Sequence, residues 1–349
     1  MVKRRIVTSI AAALTALTAV SGMAAMAAEP TATGLVAVGP TSPSHGFPVW
    51  YRDANGLTLE QCLDGANPLC GFLPGDIPDP NRAISFPANF PEEAFWMLAG
   101  ATMATRNGGS AGLTLGLEGA FANGAVVPGD QVSFGRVRIR VDNLVEGATY
   151  KVTHPYGVDT FTNVSGGVKS INFTDDVGIA RNDFTGALNS RVGPFLTWDP
   201  ISEAPAGFVG DPDVDHRVTG SPYGTNVFRI EGPNVGEAGS PFLCTPSSLD
   251  CIQTDLFSLM GKVATASGVT ADAAYFTRTA DGRSVIDVYA HTDPLDNIRV
   301  TGQGFSTTEL AADPSGRYYA RLDVKGPVPQ TITISNLSDQ PATVVTTKV

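Results

Sequence analysis

Leu113, Leu115 and Leu117 alternate with Thr114, Gly116 and Glu118. That period of two predicts a strand with one buried face. The alternation returns in Val137, Ile139 and Val141, with Arg136, Arg138 and Arg140 on the opposite face. Upstream, Val132 and Phe134 fall on the arginine parity. The phase change at Gly135-Arg136 predicts a β-bulge. Glu92 to Met97 also reads as strand.

Turn chemistry separates such segments. Phe47-Pro48-Val49-Trp50-Tyr51 and Leu57-Thr58-Leu59 flank Asp53-Ala54-Asn55-Gly56, whose Asn-Gly step predicts a hairpin. Residues 71–91 carry Pro74, Pro78, Pro80, Pro87 and Pro91 and read as an extended loop; Pro128-Gly129 marks a turn. Pro155-Tyr156-Gly157-Val158-Asp159-Thr160-Phe161 is echoed by Pro222-Tyr223-Gly224-Thr225-Asn226-Val227-Phe228. The echo suggests two equivalent hairpin corners, one in each of two related subdomains.

Beyond the linker-like Ala266-Ser267-Gly268, strands are expected at 272–279, 284–290, 296–302, 306–311, 316–324, 330–336 and 342–348. In the fifth, Tyr318, Ala320, Leu322 and Val324 point one way; Tyr319, Arg321 and Asp323 point the other. About seven short strands with frequent turns predict an immunoglobulin- or fibronectin-like sandwich, here without a Cys–Trp–Cys core. The expected fold is all-β and built of β-sandwich domains. A signal peptide covers 1–28, a β-rich domain 29–265 and an Ig-like β-sandwich 266–349.

Composition agrees: with 38 glycines, 25 prolines and only 16% charged residues, coiled coils and charged disordered tails are excluded. Compartment follows from the N-terminus. Lys3, Arg4 and Arg5 precede the apolar stretch Ile6 to Val20, and Ala25-Met26-Ala27 is an A-x-A site with cleavage before Ala28 or Glu29. Arg4-Arg5 leaves twin-arginine export as the alternative to general secretion. No second apolar run reaches membrane length, the first cysteine is Cys62, and the final residues Thr346-Thr347-Lys348-Val349 carry no hydrophobic tail. A secreted or periplasmic protein without a membrane anchor is expected.

Loss of the leader would take the net charge from −11 to −14. An acidic chain without a Lys/Arg cluster is a poor nucleic-acid binder, because phosphate contacts supply most of that affinity. Extracellular glycans, proteins and divalent cations are the compatible partners. Cys62, Cys70, Cys244 and Cys251 form two close pairs, and in an oxidising compartment the short loops favour Cys62–Cys70 and Cys244–Cys251 disulfides. The competing reading, a four-thiol zinc site, lacks C-x2-C knuckles.

The runs Gly46-Phe47-Pro48-Val49-Trp50-Tyr51, Phe90-Pro91-Glu92-Glu93-Ala94-Phe95, Val132-Ser133-Phe134-Gly135-Arg136 and Phe228-Arg229-Ile230-Glu231-Gly232-Pro233-Asn234 resemble segments of exported bacterial proteins with a C-terminal Ig-like domain. The resemblance implies export and a bacterial source. It implies no activity and no site residues.

Candidate chemistry is sparse. Gly108-Gly109-Ser110-Ala111-Gly112 matches G-x-S-x-G, but a nucleophile elbow needs a helix after the serine and a strand is expected here. His45, His154, His216 and His291 are scattered, although the echo places His154 and His216 at corresponding corners. Asp211, Asp213 and Asp215 stand on alternate residues, which in an extended loop offers several oxygens to Ca2+. His216 and Pro222 occupy the EF-hand positions for Gly and Glu, so any such site is a loop site. Trp50, Tyr51, Trp96, Phe195 and Trp198 are candidates for sugar stacking, and core packing is the alternative. Arg136, Arg138 and Arg140 read as a solvated face paired with carboxylates, or as a platform for anions or sugar carboxylates.

The expected function is an exported non-catalytic β-sandwich protein with a structural, adhesive or ligand-binding role, and no required cofactor. The alternatives are a polysaccharide hydrolase using a pair drawn from carboxylates such as Glu118, Asp142 and Glu231, or a Ca2+-dependent glycan-binding protein.

Overall fold

The computed structural model describes residues 34–42, 44–264, 268–292, 296–313, 315–339 and 342–349. The expected leader over 1–28, and Ala266 and Ser267 of the expected linker, lie outside the described residues. The described chain is all-β, with antiparallel sheets joined by loops and short 3-10 turns.

β1 (Leu35–Val38), β2 (Trp50–Asp53) and β3 (Thr58–Glu60) form a meander. The β2–β3 corner is the Asn-Gly hairpin. Asp53 Oδ1 accepts the Asn55 and Leu57 N–H groups, each at 2.9 Å. Gly56 supplies the left-handed φ of +86° that a side chain would resist.

The largest sheet is built on three long strands, β4 (Glu93–Ala104), β5 (Ser110–Phe121) and β6 (Gln131–Val141). Leu113, Leu115 and Leu117 of β5 meet Val137, Ile139 and Val141 of β6 in one buried cluster, as their alternation predicts. The bulge expected at Gly135-Arg136 is absent: the β5–β6 register runs unbroken from Ala111↔Val141 to Phe121↔Gln131. The irregularity lies in β4 instead, between Phe95 and Met97. Val132 and Phe134 are buried although they share the arginine face. Both faces of that end of β6 are covered, so hydrophobicity there does not report the strand's phase.

β7 (Tyr150–His154) and β8 (Gly157–Phe161) form a hairpin, and β9 (Ile171–Val177) pairs with β6. The short β10 (Thr197–Trp198) and β11 (His216–Thr219) precede β12 (Phe228–Glu231), β13 (Cys251–Thr254), β14 (Leu256–Met260) and β15 (Lys262–Val263). They assemble as a seven-stranded sheet, β10-β11-β14-β4-β5-β6-β9, and two four-stranded sheets, β1-β2-β3-β15 and β13-β12-β7-β8. Tyr51 and Leu59, Leu115 and Ile139, and Val152 and Ile230 bring all three sheets into the same cluster.

The two echoed corners are not equivalent. Pro155-Tyr156 turns β7 into β8, and Tyr156 is buried with its hydroxyl donating to the Pro194 carbonyl at 2.8 Å. Pro222-Tyr223 links β11 to β12, strands of different sheets, and Tyr223 is exposed. The corners nevertheless touch, the Ser221 hydroxyl donating to the Pro155 carbonyl at 2.7 Å. Both disulfides pair locally, Cys62–Cys70 and Cys244–Cys251, and no cysteine is left for a zinc site.

The remaining strands are β16 (Thr270–Arg278), β17 (Ser284–His291), β18 (Asn297–Thr301), β19 (Thr308–Ala311), β20 (Arg317–Val324), β21 (Thr331–Asn336) and β22 (Thr343–Lys348). They correspond one for one to the seven strands that alternation predicts. β16-β17-β20 and β19-β18-β21-β22 form two sheets that bury a second cluster, including Ile286, Val288 and Leu322 from one sheet and Ile298, Val300 and Ile334 from the other. Among the described residues, no helix is long and apolar enough to cross a membrane.

Candidate functional site

The acidic loop comes first. Asp211 Oδ1 accepts the Asp213 N–H at 2.9 Å, and the Asp211 carbonyl faces the Val214 and Leu259 N–H groups at 3.4 Å each. Asp211 therefore closes its own turn. Among the described residues, no group of three or more His, Cys, Asp or Glu side chains is gathered to hold a metal ion, so Asp211, Asp213 and Asp215 do not converge.

The histidines stay apart in their bonding. His154 Nε2 lies 2.9 Å from Asp159, which Arg191 also engages. His216 stacks on Trp198 with ring centroids 4.2 Å apart and meets Glu203 at 2.9 Å. Ser110 opens β5 and donates to Asp142 at 2.9 Å; a strand follows it, as alternation requires, and not a helix. Trp50, Tyr51, Trp96, Phe195 and Trp198 are all buried, so none presents a ring face to a sugar. Tyr51 shows their structural use: its hydroxyl donates to the Phe184 carbonyl at 2.7 Å and lies 2.6 Å from Ser133 Oγ.

Of the carboxylates, Asp142 accepts from the Lys169 backbone N–H at 2.7 Å and Glu231 pairs with Lys151 at 2.6 Å. Glu118 is different. It is 1% exposed on β5, opposite Phe95 of β4 and Phe134 of β6. Burial lifts its carboxyl to about 8; Arg136, 2.9 Å away, opposes the rise and the neighbouring Glu93 carboxyl adds to it. Arg136 also forks onto Asp176 at 2.7 and 2.9 Å and lies over the Phe134 ring. A cleft of about 410 Å³ opens nearby between the Cys62–Cys70 loop, the proline-rich segment and the start of β4. Glu93 lines it with Asp76 and Glu92, whereas Glu118 does not reach it.

Apart from Tyr223, the exposed aromatic residues among the described residues are on the second sandwich. β20 alternates strictly, with Tyr318, Ala320, Leu322 and Val324 buried and Arg317, Tyr319, Arg321 and Asp323 exposed. β17 carries Asp287 and Tyr289 on that outer face, paired with Arg321 and Tyr319 respectively. Tyr275 of β16, opposite Asp287, extends the row. The three tyrosines are 61%, 41% and 49% exposed at 275, 289 and 319. Tyr275 and Tyr289 have ring centroids 6.2 Å apart, and Tyr289 and Tyr319 5.2 Å.

Polar groups pin this row. Arg321 forks onto Asp287 at 2.7 and 2.9 Å, and the Tyr319 hydroxyl donates to Asp287 Oδ1 at 2.7 Å. The Arg321 hydrogen bonds hold the Asp287 carboxyl below its ordinary range, so the carboxylate is ionised and neutralised in place. The result is an electrically balanced strip with three exposed rings, tilted 64° and 38° from one to the next. Alternation assigns Tyr319 to the outer face; only strand pairing reveals that Tyr275 and Tyr289 stand beside it.

Compared with known protein families and with curated proteins, the chain matches none.

Proposed function

We propose that this chain is an exported, non-catalytic β-sandwich protein at or outside the bacterial cell envelope, adhesive in role, which holds neutral glycan chains on the tyrosine face of its C-terminal sandwich. The observation that carries this reading is the row Tyr275–Tyr289–Tyr319 on one outer sheet face. A tyrosine combines an apolar ring with a polar tip. A pyranose is its complement, with a C–H face that stacks on the ring and hydroxyls at its rim.

Size and charge narrow the occupant. The exposed ring area is about 300 Å², since a tyrosine offers roughly 200 Å² and about half of each is free. A stable protein partner covers roughly 800 Å² per side. The Asp287–Arg321 pair leaves no net charge to neutralise, which suits an uncharged ligand. The three-plus-four strand arrangement supports an immunoglobulin-like reading of residues 266–349. The two disulfides suit an oxidising compartment. A general acid must come within hydrogen-bond reach of the bond it protonates. Glu118, the carboxyl raised to about 8, is sealed beneath Arg136 and favours the non-catalytic reading.

The test is calorimetric titration of the full chain with cellohexaose and xylohexaose. At least one is expected to bind, with Tyr289→Ala weakening it about tenfold or more, roughly 1.4 kcal/mol. Tyr289→Phe keeps the ring and is expected to keep most of the affinity. Long incubation with the bound oligosaccharide should release no new reducing ends. Absence of binding to both probes, or equal binding by Tyr289→Ala, would overturn the glycan reading; new reducing ends would overturn the non-catalytic one.

A further inference from the structure

The outer face of the seven-stranded sheet carries a row of cations along β6, in register with small and hydroxylated neighbours. Arg136 lies between Gly116 and Asp176, Arg138 between Thr114 and Thr174, and Arg140 between Gly112 and Asn172. Arg136 lies 2.9 Å from Glu118 and is neutralised by Asp176. The next two are not. Arg140 donates to the Ile139 and Phe173 carbonyls and, at 2.9 Å, to the Thr174 hydroxyl, all uncharged acceptors. Arg138 has no ion pair among the described residues, and its buried Nε has no hydrogen-bond partner.

Acids are not scarce in this chain, which has 34 Asp and Glu against 23 Lys and Arg. Two adjacent arginines without a carboxylate are therefore a feature of this face and not of the composition. Burial and the neighbouring Arg138 and Arg136 charges push the Arg140 guanidinium below its usual value, against a smaller opposing pull from Asp176. The surface beside them is open: a Cβ built on Gly112 would meet no atom within 4 Å. Thr114 and Thr174 flank Arg138 with hydroxyls on both sides.

We infer that Arg138 and Arg140 form a second binding site, distinct from the tyrosine face, that takes the carboxylate of an acidic ligand such as a uronate sugar. A guanidinium fork presents two parallel N–H donors that match a planar carboxylate, which adds direction to charge. Here the donors run along one strand of the sheet, beside an open strip that can take a planar acceptor, while the flanking threonines suit ring hydroxyls.

Trigalacturonate is the probe, titrated into the full chain at low ionic strength with neutral galactotriose and inorganic sulfate as separate arms. Wild type is expected to bind trigalacturonate, more weakly as salt rises, and to shift the Arg138 Nε–Hε resonance. Arg138→Ala should lose about tenfold or more in affinity. Arg138→Lys should recover only part, because an ammonium lacks the fork. Tyr289→Ala should bind trigalacturonate as wild type does, which separates this site from the tyrosine face. The inference is overturned by no binding, by equal binding to galactotriose, by sulfate binding as tightly, or by an unmoved Arg138 resonance. That last readout needs no variant and so survives a substitution that unfolds the protein.

Discussion

Glu118 is a carboxyl whose ionisation is strongly altered by the fold, and its effect on stability has a definite sign. The unfolded chain ionises this carboxyl near 4.5, whereas the folded protein keeps its proton until about 8. The folded state therefore binds more protons across that interval. Its contribution is fully present below about 4.5 and is lost as pH rises toward 8, with a slope of up to about 1.4 kcal/mol per pH unit. His45 acts in the opposite direction: burial lowers it from 6.5 to about 4, so its contribution grows as pH rises through that window. Between pH 6.5 and 8 only the Glu118 slope of this pair remains. Urea melts over that range should show wild type weakening with pH and Glu118→Gln holding nearly level. Parallel curves for the two proteins would refute the assignment.

Among the elements, the two small covalent loops offer a direct measurement. Each disulfide closes a loop of fewer than ten residues, so the chain-entropy model gives about 2.5 kcal/mol for each. The Cys62–Cys70 loop is fastened to the large cluster, with both sulfurs buried, whereas Cys244 is exposed. Cys62→Ser/Cys70→Ser should cost at least the entropic amount plus the loss of burial. Cys244→Ser/Cys251→Ser should cost about 2.5 kcal/mol or less. Denaturant midpoints of the two double variants test the ranking, and a larger loss for the 244–251 pair would contradict it. The strands themselves differ in how legible they are. β20 reads straight from its alternation because one face meets the core and the other meets water. β6 does not, because Phe134 is buried on the solvent-side parity by its neighbours on the sheet.

Two separate hydrophobic clusters organise the whole molecule, one running from Leu35 to Leu259 and one from Ala274 to Ile334. Trp96 and Trp198 belong to the first. Trp50 makes one contact between the two parts, donating from its indole to the Leu337 carbonyl at 3.4 Å. Ile334 is fully buried in the second cluster. Ile334→Ala should cost about 2–5 kcal/mol there, lowering the melting midpoint of the C-terminal strands seen by backbone amide exchange. Amide exchange of β4, β5 and β6, which line the first cluster, should report an unchanged midpoint. Equal shifts in both signals would mean that the two clusters unfold as one.

What the sequence determined by itself was local: the Asn55-Gly56 hairpin, the paired cysteines, the strands of the last eighty residues, and the face that Tyr319 and Arg321 occupy. Each depends on interactions within a few residues, or on an alternation that one water-facing side makes visible. What only the tertiary structure decided was non-local. Trp50, Tyr51, Trp96, Phe195 and Trp198 carry the same ring chemistry as Tyr275, Tyr289 and Tyr319, yet packing buries the first set and strand pairing lines up the second in solvent. Arg136, Arg138 and Arg140 are equivalent by periodicity, but Asp176 and Glu118 reach the first alone. Charge compensation and exposure depend on which strands become neighbours, and antiparallel pairing across distant segments leaves no mark in the spacing of the residues it joins.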